Sequence, residues 1–316
     1  MPATSASASA KSILFGEHAV VYGQPAIAIP IHDLRTRVYI SADPMGKPGI
    51  QLLDAPDIEM RCFSDELEED HPFNIAIQSV TDYFQLEHFP ACEIRITSTI
   101  PIAAGLGSSA STAVAMIRGL IYFLGKTTEA SIINRLAFNV ERSIHGNPSG
   151  IDNTVIAFEK PVYFVKDGPP EFLKITNPFH FIIADTGIRS LTKEVVLQVR
   201  EKWQNNKADY ELIFNQIGEI SQHAKEALNC GNQTLIGDLM NQNHTLLQSM
   251  GVSCDALDRL VNAAITSGSL GAKLCGSGQG GNMIALIKDS SEKEKIQEAL
   301  LAAGAARIFH TQLREG

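Results

Sequence analysis

The sequence has no run of about 18 apolar residues, so a membrane-spanning helix is not expected. Its first ten residues, MPATSASASA, lack the basic start and apolar stretch of a secretory signal, and none is expected. Basic residues are the scarcer sign: 26 Lys and Arg stand against 35 Asp and Glu, a net charge of −9. That balance argues against a general nucleic-acid or anionic-membrane binder, since both need a positive footprint. It still leaves room for an anionic ligand met by backbone amides, a few cations and a metal ion. Cysteines number only 5 and are scattered (Cys62, Cys92, Cys230, Cys254, Cys275), with no CxxC pair to indicate zinc or a redox couple. The expectation is five reduced thiols, mostly core filler, in a cytosolic protein. Hydrophobic residues at 44% and charged residues at 19% place the chain among globular proteins and exclude disordered and fibrous classes. With 316 residues it can bury a full core without staples, and its length suggests two domains.

Strands and helices alternate along the chain. Residues 92–97 place Cys92, Ile94 and Ile96 opposite Glu93, Arg95 and Thr97, a period of two that predicts a half-buried strand. Residues 35–41 also read as a strand. Residues 111–124 read as a helix with Val114, Ile117, Ile121 and Leu124 on one stripe and Gly125 at its end. Residues 129–145 read as a second helix, striped by Ile133, Leu136, Val140 and Ile144 and closed by Gly146 and Pro148. Turn formers at Asp167, Gly168, Pro169 and Pro170 precede a new strand at 179–184, which puts a domain boundary near residue 175. Beyond it, helices are expected over 193–205, 210–228 and 254–264, and a strand–turn–strand unit over 271–287. The acidic run at 65–70 reads as a solvated loop.

Four segments could carry chemistry. Residues 101–112, PIAAGLGSSAST, lie between a strand and a helix. Glycines there let amides turn inward onto the positive end of the helix, an arrangement suited to phosphate, and Ser108, Ser109, Ser111 and Thr112 add hydroxyls. A tight connection with serine caps would look similar. No Gly-Lys-Ser/Thr follows, so this is not a Walker loop. Gly105, Gly107 and Ala110 match G-x-G-x-x-A, but the acidic residue a dinucleotide fold needs falls on Glu129, at a helix start, and that reading loses. Residues 141–153, ERSIHGNPSGIDN, place Glu141, His145 and Asp152 around a turn; Glu141, off the apolar stripe, could be a plain surface carboxylate. Residues 11–26, KSILFGEHAVVYGQPA, embed Lys11, Glu17 and His18 in an apolar stretch. Residues 271–281, GAKLCGSGQGG, carry more glycines than a hairpin needs, which suggests close approach to another backbone or a ligand.

Taken together, and in this order, these segments resemble the GHMP kinase superfamily and within it the mevalonate kinases. The resemblance also takes in residues 185–193, DTGIRSLTK, and spans nearly the whole chain. It implies an α+β, two-domain GHMP kinase fold, with a ribosomal-protein-S5-domain-2-like N-terminal domain (1–175) and a ferredoxin-like C-terminal domain (176–316). The activity it implies is ATP-dependent phosphorylation of mevalonate to 5-phosphomevalonate, by a cytoplasmic homodimer that uses magnesium. Lys11 and Asp152 would be catalytic. The backbone of Gly105, Leu106, Gly107, Ser108, Ser109, Ala110 and Ser111 would cradle the triphosphate, and Ser109 and Glu141 would hold the metal. Glu17, His18, Thr186 and Thr192 would lie at the acceptor. Other GHMP kinases acting on phosphomevalonate, galactose or homoserine, and a non-catalytic metabolite sensor on the same fold, are the alternatives. Two departures stand out: Ser9-Ala10 where the family often has Pro-Gly, and Gln279 within a run the family usually fills with glycine. A side chain at Gln279 should either cost backbone freedom or reach a ligand.

Overall fold

The computed structural model describes residues 3–63, 66–101, 105–146, 148–166, 168–190 and 192–314. Asp65, residues 102–104, Asn147, Asp167 and Leu191, all within segments singled out above, lie outside the described residues. In chain order the first half runs β1 (Ala3–Phe15), β2 (Ala26–Ala42), β3 (Ile50–Ala55), β4 (Met60–Cys62), α1 (Pro72–Tyr83), β5 (Cys92–Ser98), α2 (Ser108–Phe123), α3 (Ala130–His145), α4 (Ile151–Phe158), β6 (Val162–Phe164) and β7 (Glu171–Phe172). The second half continues β8 (Phe179–Asp185), α5 (Thr192–Asn205), α6 (Lys207–Cys230), α7 (Gln233–Met250), α8 (Asp255–Thr266), β9 (Gly271–Cys275), β10 (Asn282–Ile287), α9 (Lys293–Ala302) and β11 (Arg307–Leu313). None of the described helices is long and apolar enough to cross a membrane.

Two compact units emerge, and neither is a simple half of the chain. One comprises residues 1–10, 34–101 and 107–159; the other comprises 11–33, 102–106 and 160–316. The division after residue 159 falls earlier than the boundary read near 175, and the second unit also claims an N-terminal stretch. Glu159 is the last residue of the first unit. It ends α4 in a left-handed turn, φ 50°, and its carboxylate takes both Arg35 (2.8 Å) and Arg118 (3.0 Å). Burial pushes that carboxyl up, but the two guanidiniums outweigh burial and hold it below its ordinary value.

In the first unit, β3 runs parallel to β5 and the remaining pairs are antiparallel, in the order β4-β3-β5-β2. The alternation in β5 buries Ile94 and Ile96 on the same face as Val38 and Ile40 of β2, while Glu93 and Arg95 face water. Ile117 and Ile121 of α2 and Leu136 and Val140 of α3 join the same buried cluster. At roughly 25 cal/mol per Å² of apolar surface removed from water, this shared face is what holds the helices on the sheet.

The second unit is built on an antiparallel sheet ordered β11-β8-β10-β9. Four strands in chain order β8, β9, β10, β11 and spatial order 4-1-3-2 give the ferredoxin-like arrangement. Ile182, Leu274, Met283 and Ala285 from this sheet meet Leu247, Leu257, Leu260 and Val261 from α7 and α8. The helix α7 was not anticipated, because Asn243 and His244 interrupt its apolar stripe and are nevertheless buried. Of the five free thiols, only Cys92 and Cys275 are core filler, pushed up by burial to about 12 and about 11; Cys62 and Cys254 are half-buried and Cys230 is exposed.

Candidate active site

The phosphate-suited segment becomes the start of α2, with Gly107 as its N-cap at φ 73° and no side chain capping the first turn. The first helical bond joins the Ser111 amide to the Gly107 carbonyl at 2.9 Å. The amides of Ser108, Ser109 and Ala110 therefore precede the ladder, where the helix dipole favours an anion. Side chains divide differently from the sequence expectation. Ser111 is fully buried and its hydroxyl donates to the Ala8 carbonyl at 3.1 Å, while Thr112 donates back to Ser108 at 2.9 Å. Ser108 and Ser109 are half-buried and Ala110 is buried. Just upstream, in the second unit, the Leu106 carbonyl accepts the Lys11 amide at 3.0 Å. Gly105, at φ 77°, leaves no slack: a Cβ there would stand 3.2 Å from the Cα of Gly276. The two glycine-rich segments thus pack backbone to backbone.

Glu141 is not a surface carboxylate. It is 3% exposed, in the last turns of α3, where an acid opposes the helix dipole. His145, one turn on, brings Nε2 to 3.6 Å from its Oε2 and to 3.4 Å from Ser109 Oγ. The two residues expected to hold metal are therefore brought together at one imidazole. Asp152 sits in the first turn of α4, where a negative charge is favoured, half-buried between the buried Ile151 and Asn153. Thr154 donates to the Gly150 carbonyl at 2.7 Å, and Asn134 of α3 donates to Thr154 at 3.2 Å, so α4 is fixed against α3.

In the second unit, Lys11 is 4% exposed on β1, against the ordinary expectation for a lysine on a first strand. Glu17 is buried too. Its carboxylate pairs with the fully buried ammonium of Lys273 on β9 and accepts from Asn243 of α7 at 3.1 Å. Lys273 also donates to the Leu274 carbonyl at 2.7 Å. His18, at φ 61°, donates Nε2–H to the Ser277 carbonyl at 2.9 Å, which leaves Nδ1 as the lone-pair nitrogen. Burial lowers its pKa and keeps the ring neutral. Ser277 Oγ lies 3.3 Å from both Ser190 Oγ and Thr192 Oγ1. Thr186 stands apart from that group: its amide and hydroxyl both donate to the Gly281 carbonyl at 2.9 Å. Its neighbour Asp185 is held by Arg307 at 2.7 Å.

Of the residues expected at an acceptor, His18 and Thr192 thus meet at Ser277, whereas Glu17 and Thr186 are engaged with Lys273 and Gly281. Lys11 belongs to the second unit and Asp152 to the first. Lys273, Asn243 and Ser277 were missed. Lys273 had a signal, since a lysine between Ala272 and Leu274 in an apolar strand must find a buried partner. Among the described residues no cluster of three or more His, Cys, Asp or Glu could cage a metal. One carboxylate and one hydroxyl, Glu141 and Ser109, suit magnesium, which keeps water and phosphate oxygens as its other ligands.

Two family profiles match this chain, GHMP kinases N terminal domain over residues 73–160 and GHMP kinases C terminal over residues 224–306. The chain belongs to the GHMP kinases. Within that family, the mevalonate kinase of Pyrococcus horikoshii is 37% identical, over 98% of this chain and 96% of its own. A crystal structure of L. major mevalonate kinase in complex with R-mevalonate superposes with a TM-score of 0.83 at 29% identity, covering 99% of this chain and 96% of that one. The Streptococcus pneumoniae phosphomevalonate kinase, with phosphomevalonate and AMPPNP, shares the fold at TM-score 0.83 but only 18% identity, over 99% of this chain and 100% of that one.

Proposed function

We infer that this protein is a mevalonate kinase, transferring the γ-phosphoryl group of ATP to mevalonate and yielding 5-phosphomevalonate. The observation that carries this is the full-length kinship with enzymes of that name, in a chain that keeps Lys11, Ser109, Glu141 and Asp152. Phosphomevalonate kinase shares the fold without comparable identity, and a sensor would have no need of the carboxylates and the lysine. In the reaction, the substrate hydroxyl oxygen would bond to the γ-phosphorus as the bridging P–O bond breaks, and ADP would leave. Asp152 would take the hydroxyl proton or stabilise it. The Lys11 ammonium would offset charge growing on the transferred group, and the amides at the start of α2 would hold the phosphates. Positioning and charge neutralisation supply most of the acceleration in such transfers. Magnesium, held through Ser109 and Glu141, would neutralise phosphate charge. A neutral His18 with a lone pair at Nδ1 would accept a hydrogen bond from a substrate hydroxyl. We extend the reading to a cytoplasmic homodimer.

An acceptor panel tests it: purified protein with Mg-ATP and mevalonate, phosphomevalonate, galactose or homoserine. Turnover with mevalonate is expected, slowed by about a hundredfold or more in Asp152→Asn. No turnover with mevalonate alongside turnover of another acceptor sinks the assignment, and a wild-type kcat in Asp152→Asn removes that residue from the chemistry.

A further inference from the structure

The loop between β9 and β10 has almost no regular backbone of its own. Gly276, Gly278, Gln279, Gly280 and Gly281 all have positive φ, from 56° at Gln279 to 133° at Gly280. A loop so rich in glycine is costly to order, because glycine has the most freedom to lose. Yet it carries Ser277, to which His18 and Thr192 are both joined.

What orders it is the one large side chain it contains. The Gln279 amide donates to the Val252 carbonyl at 2.8 Å. Its side-chain Nε2 donates to the carbonyls of Gly251 and Ser253 at 3.0 and 3.1 Å. Three bonds from one residue thus clasp the connection between α7 and α8. Gly278 presses against the same connection, for a Cβ there would stand 2.0 Å from the Val252 carbonyl. On its other side the loop is tied to residues 186–190: Gly281 donates to Ile188 at 2.8 Å and Ser190 donates to the Gly278 carbonyl at 2.6 Å. A glutamine in left-handed backbone is unfavourable by itself, so the position is held by what its side chain reaches. It reaches protein carbonyls.

We propose that Gln279 is a positioning residue for the acceptor site: by clasping residues 251–253 it fixes Ser277, and through Ser277 it sets where His18 and Thr192 stand. The proposal rests on the reading above, in which His18 and Thr192 line the mevalonate site. A glycine at this position would free the backbone but drop two of the three bonds. An asparagine tolerates the same φ but is too short to make them. A glutamate has the length and the wrong polarity, since its carboxylate would face two carbonyl oxygens until protonated.

The test is steady-state kinetics of full-length Gln279→Asn, Gln279→Gly and Gln279→Glu with mevalonate and Mg-ATP, alongside urea unfolding midpoints. Asn and Gly variants should raise the KM for mevalonate about tenfold, the factor expected for about 1.4 kcal/mol of lost positioning. Their kcat and KM for ATP should stay within about twofold, and the chain should still unfold in one cooperative step, at a midpoint lowered modestly by the two lost bonds. The Glu variant should bind mevalonate worse at about pH 8.5 than at about pH 6, as protonation restores a donor, while the Asn variant shows no such trend. A wild-type KM for mevalonate in the Asn and Gly variants overturns the proposal, as does an equal rise in the KM for ATP, which would mark general damage to the fold. His18→Gln separates the two levels. If it leaves the KM for mevalonate unchanged, the acceptor-site reading itself falls; if it raises KM while Gln279 variants do not, only the positioning role falls.

Discussion

Replacing Lys273 with methionine should be among the most destabilising single changes available to the second unit. Methionine matches the length of the lysine stem, so packing changes little and the loss is electrostatic. Glu17 would be left 1% exposed without its ammonium partner, though still accepting from the Asn243 amide, and the Leu274 carbonyl would lose a donor. Stranding one member of a buried ion pair costs about 3–5 kcal/mol, against a total stability of roughly 5–15 kcal/mol for a domain. Glu17→Gln should cost a similar amount by stranding the ammonium instead. The double variant removes both charges and should return to within about 2 kcal/mol of wild type, so the cycle should show about 4 kcal/mol or more of coupling. Urea unfolding followed by tryptophan fluorescence reads this out, because the protein has a single tryptophan, Trp203. Its ring centroid is 5.2 Å from that of Tyr22 and it packs on the buried cluster of the second unit. A loss below about 1 kcal/mol in Lys273→Met, or a double variant as unstable as the two single changes added together, refutes the argument.

The remaining predictions concern pH and the metal. Burial depresses His244 from 6.5 to about 4, with Asp258 pulling the other way. A depressed folded pKa means that the unfolded chain binds the proton first. The stabilising contribution is whole above about pH 6.5 and is lost as pH falls towards 4, by roughly 3 kcal/mol. His244→Gln should flatten the fall in unfolding free energy over that window, and an unchanged slope would count against burial as the cause. Glu141→Gln should raise the magnesium concentration needed for half-maximal rate. Ser111→Ala should leave that requirement and the KM for ATP alone while costing about 1–3 kcal/mol of stability, because its hydroxyl serves Ala8. Reversal of this pattern would exchange the roles given to the two residues.

Period and turn chemistry were legible wherever one face of an element is apolar and the other polar. Residues 92–97 alternate and form β5, and the stripe from Ile133 to Val140 forms the buried face of α3. Where polar groups are buried against partners far along the chain, the pattern fails. Asn243 and His244 break the stripe of α7 because they serve Glu17 and the Leu274 amide, and neither partner can be inferred from spacing. Glu141 could pass for a surface acid in part for the same reason: His145 lies one turn on along α3, but Ser109 reaches that imidazole only when α2 and α3 pack. Gln279 was legible as an anomaly among glycines, but the carbonyls that justify it lie 26 and 28 positions upstream.

Glu17 and Lys273 are separated by 256 positions. A ribosome adding roughly 5–20 residues per second takes about 13–50 s to cover that distance. Throughout that interval the segment 11–33, which the second unit claims, has emerged without the strand that will accept its acid. The chain passes from one unit to the other five times, after residues 10, 33, 101, 106 and 159. Neither unit can therefore be excised by a single cut; the first is complete once residue 159 has been added, whereas the second waits for β11. Separating them in the laboratory calls for co-expressed or permuted fragments that bring the Glu17 segment back to β9. In the cell, the same arrangement makes the last hundred residues decide whether residues 11–33 are ever folded.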